Sequence, residues 1–503
     1  MSALGLRLRC CLAALGGALL VACGGSAPAE QSTPTTVASA IPRSTAASSR
    51  RLLDWPEFGL NPQRSNVSED ATGITATNVA GLRQQTVTLP GTVDSSPIYI
   101  HAASVAGGTH DTIVLTTTYG KTLAVDAGSG RSLWTFTPAG YRSWAGSAQI
   151  TTTSPLADPD RRFIYAASPD GLIHKLALVD GSEDRAGSWP VSVTRDATHE
   201  KLAAALNIDG GEIIAATGGY LGDAPPYQGH VVLIDRATGR LRAVFNTLCS
   251  NRRGLMIPSS CSASDSAVLS RSGVVVEPGG ARLLLDTGNG PWNGRTNFGD
   301  SVLELSFPAL RLRQAFTPTN QQELSDTDSD LGSSAPAFLG ADRVVVAGKD
   351  GVMRVLDLSR LNGHAPTARH ALGGELQRLP IPGRGQLFTA PAVWRRRGRT
   401  TVFLADENAT AAYVLRRGRL FRAWLRPVPG TSPIMAGGLL YVYDPSHGGI
   451  EVYRPGSPRP LAHLAGGPGH WNSPIVADGH VIEPEGNAND HLQSGTLEIF
   501  SAR

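Results

Sequence analysis

The stretch GKTLAVDAGSGRSLWTF, residues 120–136, decides how the chain is read. A glycine-led turn opens it, and Leu123, Ala124, Val125 and Asp126 follow as an alternating strand. Gly128 and Gly130 mark a tight turn, and Leu133, Trp134, Thr135 and Phe136 form a return strand. Period-two alternation on both sides of a Gly/Ser turn is a β-hairpin pattern. An Asp ahead of the turn can accept from backbone amides, and the glycines supply positive φ.

The segment recurs. HVVLIDRATGRLRAVF, residues 230–245, is a close copy, and looser copies run over 171–182, 298–316, 349–363, 409–425, 448–464 and 494–500. A second element precedes most copies, a Ser/Ala-Pro step followed by apolar strands. It stands at Ser96-Pro97, Ser154-Pro155, Ala335-Pro336, Ala390-Pro391, Ser432-Pro433 and Ser473-Pro474, with degenerate versions at 205–208 and 272–275. Pairing the two elements gives about eight units spaced roughly 40 to 60 residues apart, the period of propeller blades. The expectation is an all-β fold over residues 51–503, one eight-bladed β-propeller of four-stranded antiparallel blades. The Pro-led segments then supply inner strands and the hairpins outer ones.

Composition agrees. The chain has 57 Gly, 34 Pro and only 17% charged residues, which suits a turn-rich β protein. Its length would ordinarily mean several domains of ~100–200 residues, but a repeat ring absorbs it whole. The net charge of +3 and the scattered arginines exclude a nucleic-acid-binding reading. Arg252-Arg253 and Arg395-Arg396-Arg397 read as solvated loop tips.

Arg7 and Arg9 precede an apolar run over 10–21, and Leu20-Val21-Ala22-Cys23 matches a bacterial lipobox. Residues 1–22 are therefore read as a lipoprotein signal peptide with Cys23 lipidated. A plain signal peptide is the second reading, and the run is short for a membrane span. The Ser/Thr/Ala/Pro-rich residues 23–50 read as a flexible tether. The expectation is an exported, membrane-anchored lipoprotein facing the extracytoplasmic side. Beyond the leader and Cys23 only Cys249 and Cys261 remain, either as a disulfide that export permits or as two buried thiols.

Residues 55–59 (WPEFG), residues 73–82 (GITATNVAGL) and the hairpin repeats together resemble the quinoprotein family of propellers. The resemblance covers nearly the whole mature chain. The opening is similar to that of PQQ-dependent alcohol dehydrogenases, and the same repeats occur in BamB-type outer-membrane assembly lipoproteins. In the enzymes PQQ lies in the central funnel beside Ca²⁺, served by a Glu, an Asn and an Asp, with a basic side chain on the quinone oxygens. An adjacent-cysteine disulfide covers one cofactor face and a Trp the other.

The resemblance implies roles for three residues. TGNGPWN, residues 287–293, resembles the segment of the metal-binding Asn, here Asn289. SDTDSDLGSSAP, residues 325–336, resembles the segment of the catalytic Asp, here Asp330, which would also approach the Ca²⁺. Lys349 stands where the family places its quinone contact. The chain also departs from the pattern. The expected Glu neighbourhood, residues 216–231, has no Glu, and Tyr220 or Leu221 takes its place. No adjacent cysteine pair survives the leader, and no CxxCH offers a haem site.

Plainer readings stand beside these. The residues of TGNG are ordinary turn formers, with Trp292 packing between blades. Asp326, Asp328 and Asp330 are either oxygen ligands for Ca²⁺ or turn caps, and Ala337 stands near where an EF-hand would want its Glu. His470-Trp471 and 406–408 read as packing and hydrogen-bonding groups. No nucleophile elbow, HExxH or phosphate loop supports a hydrolase or nucleotide enzyme. Two functions follow: a monomeric binding or scaffold module for an envelope protein or ligand, without assured cofactor, or a PQQ- and Ca²⁺-dependent dehydrogenase of alcohols or sugars. The enzyme requires Asn289, Asp330 and Lys349 to converge on one funnel.

Overall fold

In a computed structural model that describes residues 53–340 and 342–502, each Pro-led or degenerate segment opens the first strand of a four-stranded antiparallel sheet. The leader, Cys23 and the tether lie outside the described residues. The first sheet runs Ile98–Val105, Gly108–Thr116, Thr122–Asp126 and Ser132–Phe136, in chain order. The hairpin at 120–136 is thus the third and fourth strands of blade 1. Further sheets span 156–192, 207–246, 275–316, 334–380, 392–426 and 434–464, and the eighth begins at 475. Blade 8 takes three strands from the C-terminal end of the chain and its outermost from near the other end. Arg83–Leu89 pairs antiparallel with Gly495–Ser501 from Arg83↔Ser501 to Leu89↔Gly495. Hydrogen bonds between distant parts of the chain therefore close the ring.

A four-stranded sheet with two apolar faces must bury both, and the ring lets it. Ile98, Val114 and Ala124 of blade 1 pack with Ile164, Ala166 and Leu176 of blade 2, all buried. A recurring clasp locks neighbours together. An outer-strand side chain donates to a turn carbonyl of the next blade: Gln85 Nε2 to Ser129 O at 2.6 Å, Trp134 Nε1 to Leu178 O at 2.9 Å, Gln314 Nε2 to Leu358 O at 3.0 Å and Trp424 Nε1 to Pro455 O at 2.9 Å. The clasp explains a turn glycine. Gly181 (φ +73°) lies under the Trp134 ring, where a Cβ would come within 2.6 Å of it. Cys249 and Cys261 are bonded to each other and tie the loop between blades 3 and 4.

The segment ahead of the ring closes its axis. Trp55 exchanges two backbone hydrogen bonds with Tyr99 of blade 1, at 2.8 and 2.9 Å. Pro56 O accepts from Ala157 N of blade 2, Pro62 O from Val276 N of blade 4, Ser65 O from Val393 N of blade 6 and Asn66 O from Met435 N of blade 7. At its centre Arg64, 2% exposed, pairs with Glu57 at 2.8 Å and donates to Phe58 O (2.6 Å), Leu206 O (2.6 Å) and Ser272 O (3.0 Å). Burial pushes the Glu57 carboxyl up to about 7 against the pull of Arg64, and lowers the Arg64 pKa.

Removing one partner of a buried ion pair costs about 3–5 kcal/mol. Arg64→Met, which leaves Glu57 and three carbonyls unpartnered, is expected to lower the melting temperature by several degrees. An unchanged melt would show that the plug does not hold the ring. Glu57 is protonated more readily folded than unfolded, so its contribution is full below about pH 4.5 and is lost as pH rises through about 7. Melts of wild type and Glu57→Gln across that window should show the variant losing less stability with rising pH.

Candidate functional site

The residues just ahead of the inner strands face one another across the axis at one end of the ring. They line a cavity of about 420 Å³. Asp94 comes from blade 1, Thr152 from blade 2, Lys201 from blade 3, Arg271 from blade 4, Asp330 from blade 5, Phe388 from blade 6 and Trp471 from blade 8. Ser272, next to Arg271, gives its carbonyl to Arg64, so the plug forms the floor of this funnel.

One wall is built on Asp94, 1% exposed. Its Oδ1 accepts from Arg271 Nη2 at 3.2 Å and Trp471 N at 3.3 Å. Its Oδ2 accepts from His470 Nδ1 at 2.7 Å and Ala488 N at 3.0 Å. Burial alone would raise its pKa, but Arg271 and His470 outweigh that and hold the carboxyl well below the usual range. The Trp471 ring stacks on Phe388 with centroids 4.4 Å apart, and the Arg271 guanidinium lies 4.7 Å from its centroid. His470 stacks on the same ring with centroids 3.8 Å apart, so Trp471 lies between His470 and Phe388 in an aromatic stack that Phe388 ends, with a cation beside it.

The other wall holds Asp330 and Lys349. Lys349 Nζ meets Asp330 Oδ2 at 2.5 Å and Asp328 Oδ1 at 2.6 Å. Burial works to lower the lysine pKa, but the two carboxylates raise it above its ordinary value. Asp330 Oδ1 accepts the backbone amide of Asn289 at 2.6 Å. Near it lie two further carboxyls whose pKa values burial raises, Asp286 well above the usual range and Asp300 to about 8, each pushed further by Asp330.

The fold brings the three motif residues together unequally. Asp330 and Lys349 line the funnel, whereas Asn289 meets Asp330 through its backbone and does not line it. Tyr220 and Leu221 both line the cavity, where the family's Glu would stand. The three aspartates of the DxDxD run diverge: Asp326 accepts from Gln322 on its own helical turn, while Asp328 and Asp330 turn to Lys349. Among the described residues, the one group of three His, Cys, Asp or Glu side chains close enough to share a metal is His101, Asp111 and Asp478, outside the funnel. His470 and Trp471, read above as packing groups, are part of the funnel wall. Asp406 fits that reading, accepting the amides of Asn408, Ala409 and Gly383. Ser168, His174 and Glu183 form a hydrogen-bonded chain in the order of a hydrolytic triad, at 2.7 and 2.5 Å. Ser168 is 0% exposed, so the chain is an internal brace.

Residues 71–276 match the family model described as "Outer membrane protein assembly factor BamB". No protein of curated function matches the chain in sequence. Among solved structures it is similar to the quinohemoprotein alcohol dehydrogenase of Comamonas testosteroni, at 15% identity over 91% of this chain and 82% of that one, with a TM-score of 0.63. A quinohemoprotein alcohol dehydrogenase of Pseudomonas putida HK5 aligns at 13% identity over 90% and 81%, with a TM-score of 0.65. A europium-containing methanol dehydrogenase aligns at 14% over 90% and 99%, with a TM-score of 0.64. Residues 71–276 are thus similar in sequence to the BamB-type family model, and the chain as a whole shares the propeller fold of these enzymes.

Proposed function

We propose that the chain is an exported, lipid-anchored propeller that acts as a binding module at the cell envelope, its sealed funnel taking a planar aromatic anion without oxidising it. The observation that carries this reading is the His470–Trp471–Phe388 stack beside Arg271 and Lys201, over a floor closed by Arg64. An aromatic ring extends the stack at Phe388 and a negative charge meets Lys201 and Arg271.

The residues present do not fit the metal that the family's enzymes hold beside PQQ. Both oxygens of Asp330 are engaged, one by Lys349 and one by Asn289 N. The Asn289 side chain is not in the lining, and Tyr220 and Leu221 replace the Glu. A base must be free to accept a proton, and Ca²⁺ needs six or more oxygen donors. The second reading, a PQQ- and Ca²⁺-dependent dehydrogenase, draws on the funnel position of Asp330 and Lys349.

Among the described residues no helix is long and apolar enough to cross the membrane. The anchor is assigned to Cys23 on the lipobox pattern of residues 20–23. An envelope protein that docks on the loops is compatible with this reading.

Titration of the protein with PQQ as a planar anionic probe should give binding that a chelator leaves unchanged. Loss of one aromatic contact costs about 0.5–1.5 kcal/mol, so Trp471→Ala should weaken binding about three- to tenfold. Dye-linked oxidation of alcohols should stay at background. Ca²⁺-dependent binding with alcohol oxidation that Asp330→Asn abolishes would establish the dehydrogenase instead. Cys23→Ala should move the protein from the membrane fraction to the soluble one, and continued sedimentation with membranes would refute the lipid anchor.

A further inference from the structure

Only four of the chain's 45 Lys and Arg residues are lysines. Three of them are engaged. Lys121 donates to Pro90 O and lies over the Tyr141 ring. Lys175 pairs with Asp184 at 2.8 Å, and Lys349 pairs with Asp328 and Asp330. The fourth, Lys201, lines the funnel, and among the described residues no hydrogen bond or ion pair reaches its Nζ.

Its placement is built. Glu200–Lys201 is a two-residue strand paired with Gly218–Gly219. Successive strand side chains point to opposite sides. Glu200 is 1% exposed and is held by Thr194 Oγ1, by Gln228 N and by His230 Nε2 at 3.0 Å. With Glu200 fixed inward, Lys201 faces the cavity. Its nearest charges are Arg271 and Asp94, and Asp94 is already saturated by Arg271, His470 and two backbone amides. Arg271, 5% exposed, also keeps an unpartnered Nε donor. Burial, then Arg271, push the Lys201 amine down to about 8. A desolvated lysine beside a second cation is the arrangement that makes an amine nucleophilic near neutral pH, which an arginine at the same place could not do.

We propose that Lys201 is a nucleophilic amine that captures a carbonyl ligand in the funnel as an imine, the ligand being an aromatic aldehyde or ketone that carries a carboxylate. This rests on the reading that the funnel takes planar aromatic anions. The neutral amine adds its lone pair to the carbonyl carbon, giving a carbinolamine. The hydroxyl takes up a proton from solvent, the carbon–oxygen bond breaks, water leaves and a protonated imine remains. No electrons are exchanged with any other reactant, and hydrolysis reverses the step. The aromatic ring extends the stack at Phe388, and the carboxylate meets Arg271.

The test uses the full chain, 4-formylbenzoate as probe and cyanoborohydride to trap the imine, followed by peptide mapping. At about pH 7.5 an amine of pKa near 8 is roughly a quarter neutral and an ordinary lysine about 0.1%, so Lys201 should be labelled at least about tenfold faster than Lys121. Labelling in the wild type should rise with pH through a midpoint near 8, a readout that needs no variant. Lys201→Arg, folded by its melt, should lose the adduct. Equal labelling of Lys121 and Lys201, or no adduct on Lys201, overturns the proposal. The carbonyl-free analogue 4-(hydroxymethyl)benzoate, followed by tryptophan fluorescence, separates the two readings. If it binds while Lys201 stays unlabelled, the imine fails and the funnel reading stands; if neither compound engages, both fail.

Discussion

The guanidinium of Arg64 is the interaction on which the rest of the molecule depends. Eight blades set around an axis leave a channel walled by the free edges of eight inner strands, and buried backbone groups there need partners. The 54–68 segment supplies them to strand after strand. Where its own backbone does not reach, Arg64 spans the gap to Leu206 and Ser272 in blades 3 and 4. Glu57 balances the charge that this costs. The plug turns a pore into a one-ended funnel, and every statement about ligand binding presupposes that floor.

Above the floor, most of the charge is paired in two separate packages. Asp94 is matched by Arg271 and His470, and Lys349 is shared by Asp330 and Asp328. A divalent cation at Asp330 would have to displace an ammonium 2.5 Å away, next to carboxyls whose pKa values burial raises. Lys201 is left outside both packages, and Asp223 is a further carboxyl in the lining.

The fold was legible because it is written in local chemistry. Where an Asp precedes the hairpin turn it accepts turn amides, as Asp126 and Asp235 do from Ser129 and Thr238, and Gly130 and Gly239 take positive φ. The Pro-led steps open inner strands, as their apolar runs imply. The closing strand at 83–89 and the plug were not legible, since their partners lie hundreds of residues away. The funnel was legible only in part. Motif likeness led to Asp330 and Lys349, whereas Asn289 reaches Asp330 through its backbone amide and stands outside the lining. Asp94, Thr152, Phe388 and Trp471 were missed, although each stands three residues ahead of the proline of its step, a register that the repeats themselves display. Sequence scatter likewise hid a groove on the outside of blades 3 to 5, where Arg242, Arg252, Arg253, Arg295, Arg311 and Arg369 come together.

That register also explains how a fold can be shared at 13–15% identity while the funnel lining varies. The ring is held by elements far from the axis end: turn glycines under the clasping side chains, apolar sheet faces and the pairing of 83–89 with the last strand. At four of the steps the residue three ahead of the proline points into the funnel from an irregular segment, so its identity can change from blade to blade while the clasps stay. The same ring can thus present Asp, Thr, Phe or Trp at equivalent places, as this chain does at 94, 152, 388 and 471. Likeness to the dehydrogenases therefore carries the scaffold, and what the protein does is decided by the few side chains that the scaffold leaves free.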